Sequence, residues 1–141
     1  MDNLQKIYCD IFCLHDKVHT YHTRTINMKG WKELHEHLGT IYEWLELNVD
    51  SFAENILVKY KKLEVPCPQE CYDESEYVTN MSDNPDDIVL ELYSDIEIVE
   101  SDIEKALNAS NNALAQLLGS IWEDFTNYCA ILARQMDEED E

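Results

Sequence analysis

Apolar residues return every three to four positions along this chain, and that spacing constrains its fold more than any other feature. Leu4, Ile7, Ile11, Leu14, Val18 and Tyr21 carry the rhythm first. Leu34, Leu38, Ile41, Leu45, Val49, Phe52 and Ile56 carry it again. A 3.6-residue helical turn brings such positions onto one face, so each run predicts an amphipathic helix. The boundaries fall at about residues 3–26 and 31–61, with a break at Asn27 to Gly30. Only three glycines and three prolines interrupt 141 residues, which favours long helices over many-turned β structure. Val65-Pro66-Cys67-Pro68 stops the second helix. The linker from there through Asp83 is polar and acidic, with room for a short helical turn near 69–78. Asn84-Pro85-Asp86-Asp87 reads as a helix start: a capping side chain, a proline suited to the first turn, and acids that complement the dipole. The helix it opens buries Val89, Leu92, Tyr93, Ile96, Val99, Ile103 and Leu107. After a turn at Asn108 to Asn112, a last helix carries Leu114, Leu117, Leu118, Ile121, Trp122, Phe125, Tyr128, Leu132 and Met136. The expectation is all-α: a four-helix bundle over residues 1–136 with a long crossover between its second and third main helices, then an acidic tail at 137–141.

Charge narrows the partners. The formal charge is −20, and fourteen acids from Glu64 through Glu104 meet no lysine or arginine. Such a chain repels nucleic-acid phosphates, so direct DNA binding is not expected, and it favours cations or a basic protein. No apolar run approaches the roughly 20 residues of a membrane span. Five cysteines, an odd number, and no evident signal peptide lead to the expectation of a reducing, cytoplasmic setting. Cys67 and Cys71 lack two further zinc ligands nearby and read as free thiols, while Cys9 and Cys13 read as packed helix residues. Trp31, Trp44 and Trp122 read as packing or interface groups and His37 as a surface residue.

The chemistry-bearing residues are His22, near the end of the first helix, His35, near the start of the second, and Asp50 and Glu54, farther along the second. Imidazole with carboxylate suits Fe(II), with zinc or manganese as competitors. His35 and Asp50 are fifteen residues apart, on the order of 22 Å along a helix. One chain therefore cannot close all four on one ion. A second copy running antiparallel can, and two-fold symmetry then builds the site twice. No Glu-x-x-His pair exists for a di-iron site inside one bundle.

His19-Thr-Tyr-His22, Asn27-Met-Lys-Gly30, Leu34-His35-Glu36 and Asp50-Ser-Phe-Ala53-Glu54 together resemble the signature of the Dps miniferritins, a ferritin-like family. Thr23 stands where that pattern has tryptophan, Asn55 where it has arginine, and the loop around Gly30 is redistributed; His15 and His19 offer substitutes on the His22 face. The resemblance implies a ferroxidase: His22 and His35 of one subunit join Asp50 and Glu54 of its neighbour, Fe(II) is oxidised there, usually by hydrogen peroxide, and a hollow homo-oligomer, dodecameric in that family, stores ferric mineral. The competing reading is an acidic interaction protein or DNA mimic on the same bundle, binding a basic nucleic-acid-binding protein without catalysis.

Overall fold

The structure, a computed structural model, describes residues 1–28, 31–75, 81–108, 119–120, 122–124 and 126–127. Every regular element among them is helical. Helix α1 spans Asn3–Arg24 and begins with a capping box: the Asp2 carboxylate accepts from the Leu4 N–H at 2.8 Å, and the Gln5 side chain accepts from the Asp2 N–H at 3.0 Å. A 3-10 turn at Thr25–Asn27 finishes it, with the Thr25 hydroxyl donating to the His22 carbonyl at 3.1 Å. Helix α2 spans Trp31–Ser51.

The expected continuation to residue 61 is helical but wound differently. Phe52–Tyr60 is a π-helical stretch, closed by Lys61 N–H donating to the Ile56 carbonyl at 3.0 Å. The wider i→i+5 turn keeps Phe52, Ile56 and Leu57 all buried. Lys62, at φ 54°, then takes the left-handed conformation that ends many helices. Helix α3, Pro68–Glu74, is the short crossover helix; Cys67 precedes it and its N–H donates to Glu70 at 3.3 Å. Helix α4 spans Pro85–Asn108, and Asn84 caps it by accepting from the Asp86 N–H at 2.9 Å.

Of the last expected helix, residues 119, 120, 122–124, 126 and 127 are helical, and the rest of 113–136, like the tail, lies outside the described residues. The Trp122 indole N–H and the Thr126 hydroxyl both donate to Glu100 of α4, at 3.0 and 3.1 Å.

The core joins Ile11, Leu14, Val18 and Tyr21 of α1, Leu38, Ile41, Leu45 and Phe52 of α2 and its extension, and Leu92, Ile96 and Val99 of α4. Two features depart from the sequence reading. Cys71, expected as a free thiol, is joined to Cys9 by a disulfide with Cα atoms 4.5 Å apart. Folding lays α3 across α1, and a link between residues 62 apart leaves no mark in local spacing. Cys13 and Cys67 are free, the first buried and the second exposed, while Cys129 lies outside the described residues. Burial pushes the Cys13 thiol up to about 12, so it stays protonated and inert.

The second departure is a buried ion cluster between α1 and α4. Lys17 Nζ lies 2.6 Å from Glu91 and 2.8 Å from Asp95. The Tyr21 hydroxyl donates to Glu91 and accepts from the Ser82 N–H at 2.6 Å. Among the described residues no helix is long and apolar enough to cross a membrane.

Candidate functional site

Helices α1 and α2 lie antiparallel, and their facing sides carry matched spacings. α1 presents His15, His19 and His22, at positions i, i+4 and i+7. α2 presents His35, Gly39 and Tyr42 at the same intervals. The antiparallel register sets His22 against His35, with ring centroids 3.9 Å apart and planes 14° from parallel. Tyr42 stacks on His15 and on His19, 4.8 Å from each, and lies 6.5 Å from His22 in an almost parallel plane.

Two backbone details hold the His22–His35 pair. His35 Nδ1 is 2.7 Å from the His22 carbonyl oxygen. A carbonyl only accepts, so Nδ1 bears the proton, and Nε2 is the ring nitrogen left for another partner. Gly39 supplies the space: a Cβ there would stand 3.1 Å from His22 Nε2. Burial, and then the neighbouring His35 and His19, depress the His22 pKa below its ordinary value. The imidazole is therefore neutral around pH 7, the form that ligates metals.

Gly39→Ala tests this packing. The helix gains up to about 1 kcal/mol of intrinsic propensity. The His22 ring has to move by a few tenths of an ångström. The expected result is a protein that folds as stably as before, with a His22 titration midpoint closer to 6.5 in an NMR pH series. An unchanged midpoint would show that the close approach at Gly39 does not set the ring's surroundings.

Asp50 and Glu54 are placed otherwise. Both are solvent-exposed, at the far end of α2, Asp50 in its last turn and Glu54 in the π-helical stretch. Among the described residues no group of three or more His, Cys, Asp or Glu side chains converges as a metal site. The structure thus brings together the two histidines and leaves the two acids apart from them, as the helix-length argument requires for one chain. Leu47, 72 % exposed, lies on the surface of α2 between the two ends.

Sequence reasoning missed Gly39 and Tyr42. Their shared i, i+4, i+7 spacing with His35, mirrored on α1, is the signal that marks them. A cavity of about 380 Å³ also reaches His19 and is lined besides by Asp16, Lys17, Thr20, Tyr72 and Met81. No family model, no curated protein and no solved structure matches this chain.

Proposed function

We propose that this chain is a Dps-like miniferritin on a ferritin-like four-helix bundle, oxidising Fe(II) at sites shared between two copies and storing the product as ferric mineral. One observation carries the reading: His22 and His35 are packed as an imidazole pair 3.9 Å apart, one of them oriented by a backbone carbonyl. A half-site of this kind calls for ligands from elsewhere. The exposed Asp50 and Glu54 of an antiparallel copy meet that need, and the two-fold operation repeats the pairing.

Ferrous iron is the substrate. With hydrogen peroxide as oxidant, two Fe(II) each give up one electron, the O–O bond breaks, and with two waters the products are two FeO(OH) and four protons. The imidazoles and carboxylates hold Fe(II) beside the oxidant and stabilise Fe(III) as it forms. The charge of −20 suits attraction of Fe(II) and nucleation of mineral at carboxylates.

The test combines solution mass with ferrous titration. The expected result is a dimer or larger particle, up to a dodecamer, that oxidises Fe(II) rapidly with peroxide and retains the mineral. His35→Ala and Asp50→Ala should each slow oxidation at least tenfold with assembly intact. A monomer, or an assembly indifferent to iron, would overturn the reading. An iron-indifferent form that binds a basic protein would instead support an acidic interaction protein, for which the base-free acidic run from Glu64 to Glu104 is the relevant feature.

A further inference from the structure

Helix α4 has two contrasting faces. Ile88, Leu92, Ile96, Val99 and Ile103 are buried in the core. The other side also repeats at three and four residues, and there Asp87, Leu90, Ser94, Glu97, Ser101 and Glu104 are all exposed. At 3.6 residues per turn these six share an arc of about 100°, with Ile98 at its edge. Leu90 is 51 % exposed and Ile98 45 %. They form an apolar pair about 12 Å apart along the helix axis. The stripe faces away from both neighbours of the helix. α1 meets α4 through Lys17 at Glu91 and Asp95, and Trp122 and Thr126 reach it at Glu100, on the opposite flank.

Charge decides what can cover this face. Eight acids and no lysine or arginine lie between Pro85 and Glu104. Lys17 answers Glu91 and Asp95, while Asp86, Asp87, Glu97 and Glu104 are exposed and have no basic partner among the described residues. A second copy would lay the same acids against them, and a nucleic acid or an anionic bilayer would add phosphates. A simple cation would leave Leu90 and Ile98 in water.

We infer that the outward face of α4 docks a basic amphipathic helix of a partner protein: the apolar stripe of that helix packs on Leu90 and Ile98, and lysines or arginines on its flanks pair with Asp87, Glu97 and Glu104. Helices packed side by side meet through such three-and-four-residue stripes, and charges at the margins set the choice of partner. None of these residues is among the four proposed iron ligands, so docking is independent of iron oxidation.

The experiment titrates the full chain by calorimetry with a synthetic helix of about 18 residues, five turns, carrying leucine along one stripe and lysine on both flanks. The salt is held at about 0.15 M, where long-range attraction between exposed charges is screened. One peptide should bind per chain. Leu90→Ser and Ile98→Ser should each weaken binding about tenfold, the effect of withdrawing one apolar side chain from the contact. Leu47→Ser, an exposed leucine of α2, should leave Kd unchanged. Glutamate in place of the peptide's lysines should abolish binding. A Kd indifferent to Leu90 and Ile98, or moved equally by Leu47→Ser, would mean that net charge alone attracts the peptide and would overturn the docking face. Self-association of the chain that Leu90→Ser abolishes would make the occupant a second copy and overturn it too. Both side chains are exposed, so the variants should keep the wild-type urea midpoint; should either lose it, methyl NMR of the wild type decides. Shifts at Leu90 and Ile98 on adding peptide support the docking face, and shifts confined to α2 overturn it.

Discussion

Lys17→Ala is expected to destabilise the fold by roughly 3–5 kcal/mol, the range for removing one partner of a buried ion pair. The Lys17 side chain is 1 % exposed and bridges Glu91 and Asp95. Without it the Glu91 and Asp95 carboxylates, one turn apart on α4, lose the cation that α1 places between them. Burial already raises Asp95 above its ordinary pKa, and Lys17 works against that rise. Burial acts upward on Glu91 as well, but there the hydrogen bonds from Lys17 and Tyr21 outweigh it and the pKa falls. The two acids differ because Asp95 is nearly enclosed while Glu91 is partly exposed. In urea at pH 7 the Lys17→Ala midpoint should fall steeply, and a triple variant, Lys17→Met with Glu91→Gln and Asp95→Asn, should recover most of the loss. A Lys17→Ala change under about 1 kcal/mol, the size expected of an exposed pair, would mean the cluster is already screened by water.

Opening the Cys9–Cys71 disulfide is the second large effect. It closes a loop of 62 residues, and restricting a loop of that length in the unfolded chain contributes about 4 kcal/mol. The loop contains all of α2 and its π-helical extension, so release chiefly increases the freedom of the unfolded chain. It also frees α3, which the bond ties to the buried face of α1. Cys9→Ser, or reduction followed by alkylation, should lower the urea midpoint by nearly equal amounts, and the reductant should have no further effect on Cys9→Ser. Equal stability of the oxidised and reduced proteins would contradict the assignment.

What the sequence made legible was local. The start of α4 is encoded by Asn84 with Pro85, side chains that act within one turn. The apolar rhythm marked the core faces of α1, α2 and α4, because burial follows the helical period directly. The π-helical winding from Phe52 was not legible, since Phe52 and Ile56 satisfy an α-helical pattern equally well. Neither the disulfide nor the Lys17 ion cluster could be read, because each joins residues that only tertiary packing brings together.

The same division runs through the candidate site. His22 and His35 were singled out from their places near a helix break, and packing sets them ring against ring. Tyr42 and Gly39 are ordinary residues until the register places them opposite the α1 histidines. Asp50 and Glu54 are exposed on α2 and its extension, so their proposed part rests on a second molecule.

That shared site is tested most directly by complementation. One variant lacks both imidazoles, His22→Ala with His35→Ala; the other lacks both acids, Asp50→Ala with Glu54→Ala. Each alone should leave ferrous iron unoxidised. Unfolded together and refolded as a mixture, they should regain about a quarter of the wild-type sites, because half the two-fold pairs are mixed and each mixed pair holds one complete site of two. A mixture as inactive as its separate components, beside an active wild type, would contradict a site assembled from two copies.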